Sequence, residues 1–312
     1  MTSRAPNTSI DLGGLKMKNP VTVASGTFGY GQEYDRYFDV SRLGAVTTKS
    51  LSLEPRAGNK PPRIVETPAG MLNAIGLQNV GLEAYLRDKA PYLRGKGVPV
   101  IANIVGRTPE EYAELARRLE AADAADAIEA NLSCPNVHDA KRARGARIVS
   151  QSPEAVGRFT EAIVSATRLP VFVKLTPNVL DIAEPALAAQ EAGATGVSLI
   201  NTLIGMAIDP ETRRPRLANV VGGLSGPAIR PVAVKMVWDA ARALDIPIIG
   251  MGGIATAADA IEFLLAGARA VAVGCISFRQ PDAAVQIVDG IADYLVRHGI
   301  SDVNELVGAV EV

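Results

Sequence analysis

The sequence predicts an α/β protein folded as a (β/α)8 TIM barrel, with an N-terminal hairpin and long βα loops on the C-terminal face. Three observations predict it. Short β-branched runs alternate with amphipathic stretches, and that order implies a parallel sheet. The runs number eight, at residues 21–25, 45–50, 98–103, 127–131, 171–175, 196–201, 246–250 and 270–274. The stretches between them carry helix start and stop signals. For 312 residues the count favours a closed barrel over an open doubly wound sheet. No linker or low-complexity tract interrupts the pattern, so residues 1–312 are expected to form a single domain.

In chain order, residues 9–18 read as a hairpin turned at Gly13-Gly14. Thr108-Pro109-Glu110-Glu111 reads as a capping box with proline at the first helical position. Ser152-Pro153-Glu154 repeats the arrangement. Asp181 to Glu184 reads as a third cap, with Pro185 still in the first turn, where its missing N–H costs little. Gly193 and Gly267 stand where helices should end. Two connections are long, 51–78 and 203–226, the second containing Arg213-Arg214-Pro215-Arg216. Both follow a strand, which puts them on the C-terminal face, and their length suggests lids or subunit contacts.

Composition removes several functions. Net charge is −1 and aromatics are 4%, so neither a field for nucleic acid or anionic membrane nor a base-stacking platform is expected. No run of about 18 apolar residues occurs. The two cysteines, Cys134 and Cys275, cannot make a disulfide framework or supply four thiolates to an iron–sulfur cluster. Met1 to Pro6 has no apolar leader core, and a cytoplasmic location is the expectation. With two histidines, neither a metal site nor a Ser-His-Asp triad is expected.

The strand ends carry the chemistry. They deliver Ser25-Gly26, Lys49-Ser50, Asn103, Asn131 with Cys134, Lys174, Asn201-Thr202, Gly252-Gly253 and Gly274-Cys275 to one rim. A barrel built only for stability has no use for such a set. Lys174 ends an apolar strand, so its ammonium needs an anion or strong acceptors. Either a ligand or a carboxylate on a neighbouring strand meets that need. Pro135 biases Cys134 towards extended backbone at a strand-to-loop junction. That thiol is either reactive or packed as a small hydrophobe. Gly250 to Ala255 satisfies G-x-G-x-x-A, but the next strand ends in Gly274-Cys275 without the acid a dinucleotide fold requires. The glycines after the last two strands read instead as a phosphate cradle of backbone N–H groups. The cluster Lys141 to Arg147, on the same loop as His138, is either a solvated loop or a lid that attracts an anion. On these residues alone, a Schiff-base lyase using Lys49 or Lys174 and a non-catalytic barrel also stay open.

Asn131-Leu-Ser-Cys-Pro-Asn136, Asn73-Ala-Ile-Gly-Leu-Gln-Asn79, Ala24-Ser-Gly-Thr-Phe-Gly-Tyr30, Lys49-Ser50 and Gly250-Met-Gly-Gly-Ile254 together resemble the dihydroorotate dehydrogenase family, over residues 8 to 308. The Ser-Gly-Thr-Phe-Gly-Tyr-Gly string resembles its class 1B, NAD-linked catalytic subunits more than the fumarate-using class 1A. The resemblance implies an FMN-binding barrel that oxidises dihydroorotate to orotate for pyrimidine biosynthesis, with Cys134 as the base. It implies FMN on Ser25, Lys49, Ser50, Asn103, Asn131, Lys174, Ile200, Gly226, Gly252, Gly253, Gly274 and Cys275. It implies substrate on Lys49, Asn73, Ala74, Ile75, Gly76, Leu77, Asn131, Asn201 and Thr202. The chain departs from the family at Gly274-Cys275, where Gly-Thr is usual; a backbone N–H to phosphate survives that change, and a hydroxyl contact becomes a weaker thiol one. With two cysteines and no dinucleotide fingerprint in this chain, the resemblance to class 1B implies a partner subunit that carries FAD and a [2Fe–2S] cluster and passes electrons to NAD⁺, in an expected heterotetramer built on a homodimer of catalytic chains.

Overall fold

The computed structural model describes residues 5–133 and 148–312. Its strands are β1 (Ile10–Leu12), β2 (Leu15–Met17), β3 (Val21–Val23), β4 (Val46–Thr47), β5 (Ile64–Thr67), β6 (Gly70–Asn73), β7 (Val100–Ile104), β8 (Ala127–Asn131), β9 (Val171–Lys174), β10 (Gly196–Leu199), β11 (Leu203–Met206), β12 (Ile208–Asp209), β13 (Arg214–Pro215), β14 (Val221–Ser225), β15 (Ile248–Met251) and β16 (Ala270–Val273). Its α-helices are α1 (Leu82–Ala84), α2 (Ala90–Lys96), α3 (Pro109–Ala121), α4 (Pro153–Val164), α5 (Ala183–Glu191), α6 (Arg230–Ala241), α7 (Ala257–Leu265) and α8 (Ala283–His298).

Eight strands form one sheet in the order β3-β16-β15-β10-β9-β8-β7-β4, every pair parallel. These are the eight runs expected from the sequence. The two end strands meet: the Gly44 N–H donates to the Val21 carbonyl at 2.9 Å, and the hydroxyls of Thr22 and Thr47 lie 3.1 Å apart. The sheet thereby rolls into an α/β barrel. Strands β7, β8, β9, β10, β15 and β16 are buried along their whole length, as expected of parallel strands covered on both faces.

The helix starts behave chemically as their sequences suggest, with one shift. The Thr108 hydroxyl accepts the Glu111 N–H, but the Glu111 carboxylate reaches back to the Arg107 N–H at 2.8 Å, one residue further than a reciprocal box would place it. The Ser152 hydroxyl accepts the Ala155 N–H. Asp181 accepts the Ala183 N–H just ahead of the cap residue Ile182. Gly193 (φ 87°) and Gly267 (φ 114°) take the left-handed backbone that ends α5 and α7.

The hairpin β1–β2 turns through Gly13 (φ 65°) and Gly14 (φ 98°), a conformation only glycine adopts without cost at both positions. Ile10, Leu12, Leu15 and Met17 are buried, and Gly13 lies against Thr195 and Pro247, just ahead of β10 and β15. The hairpin therefore covers the N-terminal end of the barrel, opposite the strand ends that carry polar groups.

The two long connections were expected as lids or subunit contacts. They pair with each other. Strands β5 and β6 from the first and β11 and β14 from the second make an antiparallel sheet ordered β11-β14-β6-β5. It rests on a small apolar cluster of Val65, Leu72, Ala74 and Leu217. Short strands of four or five residues, three of them containing glycine, hide their pairing from any pattern along the chain.

Among the described residues no helix is long and apolar enough to cross a membrane. Phe172 is fully buried in the barrel interior, its ring 2.8 Å from where a side chain on Gly196 would begin. Phe172→Ala should cost about 3–5 kcal/mol in denaturant unfolding, because the surrounding strands cannot collapse into the void. A loss under about 1 kcal/mol would mean that this layer is not close-packed.

Candidate active site

Parallel register sets which residues point inward. Asn103 pairs with Glu129, and Asn131 pairs with Lys174, which also pairs with Ser198. Side chains on one face recur every second residue, so Asn103, Glu129, Asn131, Lys174 and Ser198 all enter the barrel mouth from four successive strands. They are almost wholly buried, with Glu129 at 1% and Lys174 at 4% exposure.

Glu129 was read in the sequence only as part of an apolar run, yet it joins the others. Its Oε1 accepts the Asn103 Nδ2 hydrogen at 2.5 Å and stands 3.7 Å from the Lys174 Nζ. The carboxylate partner left open for Lys174 is therefore present. Lys174 Nζ also approaches the Ser25 hydroxyl at 3.5 Å. The signal was available: Glu129 stands two residues before Asn131 and shares its inward face. Two buried acceptors in this region, Asn103 Oδ1 and Ser198 Oγ, have no hydrogen-bond partner among the described residues. A buried acceptor left in this state is costly unless a ligand donor reaches it.

A second row of polar groups runs across the mouth. Asn131 Nδ2 donates to the Ser50 hydroxyl at 3.4 Å. The Ser133 hydroxyl donates to Asn131 Oδ1 at 3.0 Å, and Asn201 Nδ2 donates to Ser133 Oγ at 2.8 Å. The Thr202 N–H closes on Asn201 Oδ1 at 2.8 Å. The Tyr112 hydroxyl donates to the Asn131 carbonyl at 2.7 Å and steadies the end of β8 from behind.

The antiparallel sheet brings residues 73–77 to this row. Asn73 Nδ2 donates to the Gly223 carbonyl at 3.3 Å, and Gly223 leaves no room for a side chain beside Thr202. Asn59 holds the following turn by donating its N–H to the Ile75 carbonyl and its Nδ2 hydrogen to the Ala74 carbonyl, both at 2.9 Å. Gly76 (φ 75°) and Leu77 (φ 57°) continue that turn. Asn59 was not singled out from the sequence, and Ser133 was quoted within the Asn131–Asn136 motif without a role of its own. Lys49 follows β4, its N–H on the Gly29 carbonyl. Burial, with a smaller contribution from Arg63, holds its amine below the usual lysine range, and Glu33 opposes the shift.

The glycines gather as a cradle. A Cβ on Gly253 would stand 2.7 Å from the Gly226 carbonyl oxygen, and one on Gly252 would stand 3.4 Å from the Ile200 side chain. Gly274 precedes the short 3-10 turn Cys275–Phe278. Burial pushes the Cys275 thiol up, against a hydrogen bond with Ser225. Ser225 adjoins Gly226, so the loops after β14, β15 and β16 converge. An ion-pair clamp ties two of them: Arg230 binds Asp259, and its Nε stands 3.3 Å from Glu262. Asp259 also accepts the Ala255 and Thr256 N–H groups at 2.9 and 2.8 Å.

Of the expected site residues, Ser25, Lys174 and Asn103 are linked through Glu129 and Lys174, Ser50, Asn131, Asn201 and Thr202 through the second row, and Asn73 adjoins that row through Gly223. Cys134, with Pro135, Asn136, His138 and the cluster 141–147, lies outside the described residues. Orphaned acceptors, a buried cation and a glycine cradle fit a flat, hydrogen-bonding cofactor with a phosphate tail.

Comparison with known proteins finds relatives over the length of the chain. The family model described as dihydroorotate dehydrogenase matches residues 8–295. A protein of Trichlorobacter lovleyi named "Dihydroorotate dehydrogenase B (NAD(+)), catalytic subunit" is 55% identical over 306 residues, covering 98% of this chain and 99% of its own. Proteins with the same name from Geobacter sulfurreducens and a Thermoanaerobacter species are 53% and 49% identical, each covering 98% of this chain and 99% of their own. A solved structure, DHODH from Eimeria tenella in complex with ferulenol, superposes with a TM-score of 0.79 at 24% identity, covering 99% of this chain and 90% of that one, and so shares the fold.

Asp259→Ala removes both the acceptor for two helix-start N–H groups and the partner of Arg230. The expected loss is about 2–3 kcal/mol in unfolding, below the full value of a buried pair because Arg230 is partly exposed. A loss within about 0.5 kcal/mol would mean that the clamp does not hold the cradle.

Proposed function

The chain belongs to the dihydroorotate dehydrogenase family, and from that premise we propose that it is the FMN-bearing catalytic subunit of an NAD-linked enzyme that oxidises dihydroorotate to orotate in pyrimidine biosynthesis. One observation carries the reading. The row Ser50–Asn131–Ser133–Asn201–Thr202 lies beside the buried Lys174, so a hydrogen-bonding planar substrate and a redox cofactor can share one mouth.

The residues fit FMN. Gly226, Gly252, Gly253, Gly274 and Cys275 would cradle its phosphate, with Ile200 alongside. Ser25, Lys49, Ser50, Asn103, Asn131 and Lys174 would meet its polar edge. Bound there, FMN supplies the hydride acceptor. Asn73, Asn131 and Asn201 offer amide donors and acceptors to the imide ring of the substrate, with Thr202 and the turn Ala74 to Leu77 around it. Lys49 offers its ammonium to the substrate carboxylate. Cys134 takes the proton from C5 as the hydride leaves C6, so one proton and one hydride depart and a C5–C6 double bond forms. A thiol titrating near about 8.5 makes that step faster as pH rises. The Gly274-Cys275 departure leaves the backbone donors in place.

Two cysteines cannot supply the four thiolates of an all-cysteine iron–sulfur cluster. The name "catalytic subunit" carried by the relatives supports a partner, which in this reading would hold FAD and [2Fe–2S] and supply the route to NAD⁺. In this reading residues 1–312 form one FMN-binding domain, two catalytic chains pair as a homodimer, and with two partner subunits they make a cytoplasmic heterotetramer.

The test is an assay of the purified chain reconstituted with FMN. Dihydroorotate should reduce a dye without any partner. NAD⁺ should be reduced only once an FAD/iron–sulfur subunit is added. Cys134→Ala should keep its flavin and lose about 10²–10⁴-fold in turnover, the range for a positioned base. Absence of flavin binding, NAD⁺ reduction by the chain alone, or near-normal turnover of the variant would each overturn the corresponding part.

Lys49 adds a pH dependence. Its charged form attracts the orotate carboxylate, so affinity is highest below the Lys49 pKa and falls as pH rises through it. Burial lowers that pKa, so the fall should begin below the range of a free lysine. Lys49→Arg stays charged and should flatten the alkaline limb. Flavin absorbance titrations with orotate measure it, and superimposable wild-type and variant profiles would remove Lys49 from the carboxylate site.

A further inference from the structure

We propose that Glu129 is a positioning residue for the redox step: it fixes which end of the Asn103 amide faces the cofactor and offsets part of the Lys174 charge, and so holds down the reduction potential of the bound flavin. The inference rests on the FMN reading given above and assigns a role to a group that reading does not use.

Glu129 occupies the middle of β8, between Asn103 on β7 and Lys174 on β9. Its side chain is 2% exposed and that of Lys174 is 6% exposed, so water screens neither. A single oxygen, Oε1, serves both neighbours, at 2.5 Å from Asn103 Nδ2 and 3.7 Å from Lys174 Nζ. An ionised carboxylate only accepts hydrogen bonds. It therefore selects the NH₂ end of the Asn103 amide and turns Oδ1 away. That Oδ1 is the buried acceptor without a partner. The carboxylate thus presets Asn103 as an acceptor for a ligand donor, and the amide cannot flip without losing its bond to Glu129.

The second consequence concerns charge. A hydride brings two electrons and one proton, so the ring system that accepts it gains one unit of negative charge. The Lys174 ammonium, fixed in a buried site, favours that charge. Glu129 is the carboxylate that faces the ammonium, and its own negative charge opposes the same gain. At 3.7 Å the pair is looser than a direct charged hydrogen bond. The ammonium is therefore only partly committed, and reaches the Ser25 hydroxyl as well. Removing the negative charge of Glu129 while keeping its shape should leave Lys174 uncompensated and make the reduced cofactor easier to form. A residue that merely packs the barrel could change how much flavin binds, and it would leave the potential of the bound flavin where it was.

The experiment is a spectroelectrochemical titration of FMN-loaded wild type and Glu129→Gln at one pH, read as the midpoint potential of the bound flavin, with flavin content measured in parallel. The expected result is a shift to more positive potential in Glu129→Gln. An unchanged potential, or a shift to more negative values, overturns the proposal even if flavin content falls. Failure of the wild type to load FMN overturns the reading beneath it. If Glu129→Gln gives no folded protein, Glu129→Asp is read in its place. Its shortened carboxylate should give a smaller shift in the same direction, and no shift there overturns the proposal.

Discussion

The constraint on which everything at the mouth depends is the parallel register of the eight strands. Because side chains alternate, Asn103, Glu129, Asn131 and Lys174 all point inward or all point outward together. A slip of one residue in β8 would replace Glu129 and Asn131 by Ile128 and Ala130 at the interior face. The register is held by burial on both faces and by the join between β3 and β4. The polar interior and the apolar shell around it are thus one arrangement. The shell keeps water from the Glu129–Lys174 pair, and the pair makes the interior something other than packing.

The second sheet explains how a barrel rim becomes a site of defined shape. Strand ends alone deliver groups from below. Strands β5, β6, β11 and β14 bring Asn73 and the turn after it in from above, on antiparallel backbone pairing. Glycines at 222 and 223 are part of this, since any side chain there would strike Leu217 or Thr202. The Asn73 side of the mouth is therefore placed by close backbone approach, and the Asn103–Lys174 side by strand register.

Much of this was legible along the chain. Eight β-branched runs, the hairpin at Gly13-Gly14 and the polar strand ends all appear where periodicity and turn chemistry put them, because local pattern decides them. The pairing of the two long connections was not legible, since short strands far apart in sequence carry no joint signature. Glu129 was missed for a different reason. An acid flanked by Ile128 and Ala130 looks like an interruption of an apolar run until the register shows Asn103 beside it. Asn59 and Ser133 serve through bonds to backbone and to other polar groups, and such service has no pattern in one dimension. Cys134 lies outside the described residues and remains a reading from its motif.

The hairpin at the other end of the barrel has a bearing on traffic. With Ile10, Leu12, Leu15 and Met17 buried beneath the strands, the interior is a cul-de-sac. Among the described residues, the polar groups therefore face the strand-end side, away from the hairpin. In the reading proposed above, anything held at the polar strand ends would be reached from the strand-end side of the barrel.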